Sequence, residues 1–202
     1  MTTVVLTPAT GLDYTTWAAV KTYLDISSSS DDALGATLVS RASRMIDHYC
    51  RRVFIAASAT RLFDVPHGAT LFLDEDLVSL TTLTNGDGTA IASTQYALLP
   101  KNVTPRYAIR LRETATAGWR PSATTGEYQA ISVAGSWGYS ASPPDDVVQA
   151  AVRLTAWIYR QRDAPFGQTA RPEIGVIETP LSMPPDVVRI LAPFVKVRVA
   201  GI

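Results

Sequence analysis

Cysteine is almost missing from this sequence: Cys50 stands alone, so no internal disulfide braces the fold, and the expected compartment of synthesis is a reducing cytoplasm. Histidine is scarce too, with only His48 and His67 available for proton transfer or metal ligation. His48 follows Asp47 and precedes Cys50 by two positions on a helix-forming stretch. Neighbours one or two apart point to different sides of a helix, which makes that trio a poor metal site or catalytic dyad. His67 sits in VPHGAT, a turn between strand-like runs, where a solvated role is expected. Charge of one sign is also lacking, since 18 Lys and Arg balance 18 Asp and Glu. That balance excludes a whole-molecule field drawing the chain onto duplex DNA or an anionic membrane, while leaving room for a local patch. No apolar run approaches the roughly eighteen residues a bilayer requires, and the opening MTTVVLTPATG lacks the basic-then-apolar pattern of a secretion signal.

Catalytic signatures are absent as well: there is no G-x-x-x-x-G-K-[ST], G-x-G-x-x-G, H-E-x-x-H or G-x-S-x-G. LDEDL (73–77) gathers three carboxylates of the kind that ligate divalent cations, but its spacing matches no calcium loop and a solvated β-turn is expected. NGDGT (85–89) reads as a hairpin turn, because Asn-Gly and Asp-Gly supply the positive φ of a tight turn. The inventory for nucleophilic or acid–base work is thin, so an enzyme is not expected, and neither a cofactor nor a metal is implied.

What the chain has is apolar content of 47% over 202 residues, enough for a buried core in one domain or one domain with a large insertion. It also has one helix-starting phrase used twice, SPPDDVVQAAVRL from Ser142 and MPPDVVRILAPF from Met183. Proline at a first helical position wastes no hydrogen bond, and Asp145, Asp146 and Asp186 in the first turn complement the helix dipole, with Ser142 and Ser182 as cap candidates. Val147, Ala151, Leu154 and Ile158, with Trp157, form an apolar stripe behind the first start, and Val187, Ile190, Leu191 and Phe194 form a shorter one behind the second.

Two more helices are predicted near the beginning. One carries Trp17, Val20 and Leu24 behind the cap candidates Asp13, Thr15 and Thr16. The other, capped by Ser30, carries Leu34, Leu38, Ala42, Met45, Ile46 and Tyr49, with Arg41, Arg44, Arg51 and Arg52 toward its end. Between these pairs the texture changes to short β-branched and aromatic runs: TRLFDVP, TLFLD, LVSLTTLT, TQYALLP, YAIRLR and YQAISVAGSWGY. The expected class is α+β, with a helical bundle built from residues 1–53 and 140–202 and an inserted antiparallel β region at 54–139. The stretch at 163–183 shows no clear periodicity and is expected to fold on contact with a partner.

The stretch SDDALGATLVSRASRMIDHYCRRVF (30–54), preceded by WAAVKTYLDI, resembles the N-terminal signature of the tailed-bacteriophage head–tail connector, or adaptor, proteins, a family shared with gene transfer agents. SWGYSASPPDDVVQAAVRLTAWIYRQRD (136–163) resembles their second signature, in the expected order. The resemblance implies a structural protein of the virion neck, assembled as a generally dodecameric ring below the portal protein, extending the DNA channel and docking a tail-side connector, stopper or tail terminator. It implies no membrane and no sequence-specific reading of DNA. The large β region departs from the compact members, and 100–129 matches none of their patterns.

Candidate interface residues follow from both readings. The alternating tail places Val195, Val197 and Val199 opposite Lys196 and Arg198, a pattern suited to a strand added to another chain's sheet edge, with Phe194 ahead of it. Arg160 and Arg162 close the long helix and are candidates for facing DNA or a neighbour's carboxylates. Trp119, in the polar TAGWRPS, is a candidate anchor, and Phe166, Ile174, Val176 and Ile177 are the apolar residues of the 163–183 stretch. The alternative reading is a soluble module whose β insert holds a carbohydrate or small ligand at an aromatic site.

Overall fold

A computed structural model describes residues 13–162, 168–171, 175–178 and 183–196, the two short middle stretches at the level of backbone. The described chain forms two compact units, one from the segments up to Arg51 and from Pro144 to Lys196, the other from Arg52–Pro143.

The first unit is helical. α1 (Trp17–Leu24) is capped by Thr16, whose hydroxyl accepts from the Ala19 N–H at 3.3 Å, and ends at Asp25 in the left-handed region. α2 (Asp32–Cys50) ends the same way at Arg51. α3 (Asp145–Gln161) and α4 (Pro185–Leu191) start where the prolines are, and a single 3₁₀ turn, Ala192–Phe194, follows α4. The expected serine caps are corrected: Pro144 and Pro184 themselves take the cap positions, with extended backbone and no side-chain cap bond. The Pro144 carbonyl receives the Val147 and Val148 N–H groups, so the first turn closes without a hydroxyl. At α2 the cap is Asp31 rather than Ser30, whose hydroxyl bonds Ser28 instead.

α3 packs on α2, with α1 and α4 also against it. It buries Val147, Ala150, Ala151, Leu154, Thr155 and Ala156, the face its stripe predicts, while Trp157 and Ile158 are only partly covered. α2 is rotated from expectation: Gly35, Leu38, Val39, Ala42, Ser43, Ile46 and Cys50 are buried and Leu34 is 39% exposed. Trp17 is the reason, because its ring lies flush on Gly35, where an added Cβ would fall 2.0 Å away. The indole needs a glycine beneath it, so Gly35 turns inward and its leucine neighbour turns out. Two buried hydroxyls are satisfied within their own helices: Ser43 donates to the Val39 carbonyl and Thr155 to that of Ala151.

The second unit is a five-stranded antiparallel sheet of β1 (Ala57–Phe63), β2 (Thr70–Thr84), β3 (Tyr96–Leu99), β4 (Arg106–Leu111) and β5 (Ile131–Trp137), in the order β1-β5-β2-β4-β3. β5 alternates buried and half-buried residues along its whole length, the signature of a central strand. One face carries the core, which includes Phe63, Leu71, Leu77, Leu83, Ile109, Ile131, Val133 and Trp137.

The expected turn at LDEDL is overturned. TLFLD and LVSLTTLT fuse through it into β2, whose register with β4 shifts between Phe72 and Leu77; Leu77 pairs with both β4 and β5, and the residues after it pair with β5. The NGDGT turn forms, with the Asn85 N–H on the Thr89 carbonyl, yet it returns only an isolated bridge, Thr84 to Ala90. The 163–183 stretch also differs from the irregular connection expected: β6 (Gln168–Arg171) and β7 (Gly175–Glu178) pair antiparallel. Strands of four residues are too short for alternation to stand out in sequence.

Candidate assembly interface

The end of α3 closes on the start of α2. Tyr159 donates its hydroxyl proton to Asp31 at 2.5 Å, and Arg162 lies 3.0 Å from the same carboxylate with its guanidinium 4.5 Å over the Tyr159 ring. Beside it, Trp17 stands 5.2 Å from Tyr159 and donates its indole N–H to Asp32, which Lys21 also contacts at 2.9 Å. The Tyr159 hydrogen bond, then Arg162, holds the Asp31 carboxyl below its ordinary value, and Lys21 does the same for Asp32. The Tyr159 phenol is pushed up, because its proton is shared with an anion. Arg162 is thus engaged by its own chain. Arg160, two residues earlier, is exposed and lines a small pocket of about 180 Å³ with Tyr23, Arg153, Trp157, Asp186 and Val187. An ion pair of 2.6 Å between Arg153 and Asp186 ties α3 to α4 across that pocket and lowers the Asp186 carboxyl.

The other candidates are spread over the chain. Phe194 and Val195 are half-buried after α4, and the Lys196 N–H reaches the Cys50 carbonyl at 2.9 Å. Val176 and Ile177 fall on β7. Phe166, Ile174, Val197 and Val199 lie outside the described residues. Trp119 packs against the sheet core, on a loop held by Asn85, which donates to the Gly118 carbonyl and accepts the Arg120 N–H. An indole spent on the sheet does not present an open aromatic platform to a sugar.

Sequence reasoning missed a set of large apolar side chains in contact with solvent: Leu62, Phe72, Val103, Tyr107 and Tyr128 in the sheet unit, Tyr23 and Leu34 in the helical one. Leu62 and Phe72 sit in alternating strands but face away from the core, which only the pairing register reveals.

The acidic run is a structural element. Asp76 is buried against Arg52 at 2.8 Å, and Glu75 pairs with Arg61 at 2.6 Å. Arg52 lies over the Tyr139 ring and Arg61 over that of Trp137. Among the described residues no three His, Cys, Asp or Glu side chains cluster in a way that would hold a metal, and no helix is long and apolar enough to cross a membrane. His48 and His67 are exposed and Cys50 is buried on α2.

Among the solved chains that share the fold are three from gene transfer agent particles. One, from the neck of an empty gene transfer agent particle computed with sixfold symmetry, is 18% identical with a TM-score of 0.61, covering 92% of this chain and 91% of that one. A second, from the virion of a native gene transfer agent, is 20% identical with a TM-score of 0.59 over 92% and 91%. A third, from a native neck computed with twelvefold symmetry, is 20% identical with a TM-score of 0.56 over 92% and 93%. Among curated proteins none matches. A sequence profile matches residues 13–197, spanning both units, and on that match the chain belongs to the head completion protein family.

Proposed function

We propose that the chain is a structural head–tail adaptor of a tailed phage or phage-like particle. Made in the host cytoplasm, it takes its place in the virion neck as a ring below the portal, extends the DNA channel and docks the next connector or tail protein. The observation that carries this reading is the family match over residues 13–197. The shared fold supports it, because the similar chains come from gene transfer agent virions and necks, two of them computed with C6 and C12 symmetry. A dodecamer accommodates both symmetries. Balanced charge, 18 against 18, suits a channel through which DNA slides, where dense phosphate contacts would retard it. The role is non-enzymatic in this reading, with candidate contacts at Arg160, Phe194 and Val195.

Co-expression with the portal protein of the same gene cluster, followed by mass measurement, tests the proposal. A discrete ring of this chain bound to portal is the expected result. A monomer that ignores portal, and instead binds a sugar or shows an activity lost on chelation, would overturn it.

A further inference from the structure

The two edges of the five-stranded sheet are unlike. β3 is four residues long and runs straight into the cis Leu99–Pro100 bond, and a proline blunts an edge because it has no amide to offer. β1 is seven residues long, contains neither proline nor lysine, and exposes Ala57, Ser58, Ala59 and Thr60. Its one charged side chain, Arg61, is drawn to Glu75 at 2.6 Å and lies 4.8 Å from the Trp137 ring, so it does not guard the rim. The Trp137 indole donates to the Ala59 carbonyl; among the described residues no other group outside the ladder with β5 bonds the β1 backbone. A rim of this length and composition, without a further strand among the described residues, is a template for strand addition.

The sequence supplies a segment to fill it. Residues 195–202, VKVRVAGI, are one residue longer than β1 and divide at strand period into Val195, Val197 and Val199 on one side and Lys196 and Arg198 on the other. Along β1 the odd positions Ala57, Ala59, Arg61 and Phe63 share the core face, Arg61 lying over the Trp137 ring, and Ser58, Thr60 and Leu62 share the opposite one. Val195 already has extended backbone, φ −67° and ψ 124°. A ring requires a head-to-tail contact between two different surfaces of one chain, and donor segment and acceptor rim are such a pair. Resting on the ring reading above, we propose that residues 195–202 of one copy add as a sixth strand to the β1 edge of a neighbouring copy, valines extending the core face and cations lying over Ser58 and Thr60.

Cysteine pairs in the full chain test this. Thr60→Cys is combined in turn with Lys196→Cys, Arg198→Cys and Ala200→Cys, covering the neighbouring registers. Mild oxidation is expected to give a ladder of covalent multimers for at least one pair. A cross-linked monomer, meaning the segment folds back on its own chain, overturns the proposal, as does no cross-link from any pair. A second variant ends after Lys196, keeping the bond to Cys50; it is expected to fold as the parent does and to lose the rings. Rings that persist in it sink the strand addition while leaving the adaptor reading intact, whereas a parent chain that never forms rings sinks both.

Discussion

Gly35 and Trp17 act as one unit. In most helices alanine outdoes glycine by roughly 1 kcal/mol, since it loses less backbone freedom. Here the added methyl would sit 2.0 Å from the indole ring, and steric overlap in a packed site outweighs the propensity gain. Gly35→Ala is therefore expected to destabilise the protein by about 1–3 kcal/mol, read from urea unfolding midpoints; a variant as stable as the parent would show that the ring is not seated there. Asp47 gives the second residue-scale prediction. Burial pushes its carboxyl up from 3.8 to about 6, against the opposing pull of the Tyr14 hydroxyl and of Arg44, 2.9 Å away. The folded chain thus holds that proton more tightly than the unfolded one. Its contribution is present below about pH 3.8 and lost as pH climbs to about 6. Asp47→Asn is expected to gain on the parent as pH rises across that window and to run parallel to it above; profiles parallel throughout would refute the assignment.

Single elements rest on a few side chains. Leu154 is fully buried at the centre of α3, so Leu154→Ala is expected to cost about 2–5 kcal/mol by chemical denaturation, the combined loss of transfer energy and an unfilled cavity. Asn85 is buried at the end of β2 and its side chain serves both the Gly118 carbonyl and the Arg120 amide. Asn85→Ala leaves both without their partner and is expected to cost about 1–3 kcal/mol and to raise amide exchange at 118–120. Unchanged exchange there would mean that the loop is held by Trp119 alone.

These elements also show what a sequence can and cannot announce. The helix starts were legible because proline followed by aspartate is a local device whose meaning needs no distant partner. The long helices and the β texture were legible through periodicity, and with them the α+β class. β2 was not legible as one strand, because Asp74, Glu75 and Asp76 read as a solvated turn until Arg52 and Arg61 are brought alongside from elsewhere in the chain. The inward turn of Gly35 was hidden for the same reason, being set by Trp17 on another helix. At the candidate interface, Arg162 looked free by sequence and proves to be tied to Asp31, while exposed Leu62 and Phe72 passed unnoticed because their strands alternate as any strand would.

At the scale of the whole molecule, a chain with equal numbers of positive and negative charges, a helical unit tied by ion pairs between its helices and a sheet whose β1 edge carries no further strand among the described residues has the parts of a building block. The account stands or falls on where that block sits. Electron microscopy of necks isolated from particles encoded by the same gene cluster is the most direct measurement. The predicted result is a closed ring of this chain between the portal and the tail-side proteins, coaxial with the DNA channel; density that places the chain elsewhere in the particle, or a neck that assembles fully without it, would contradict the account.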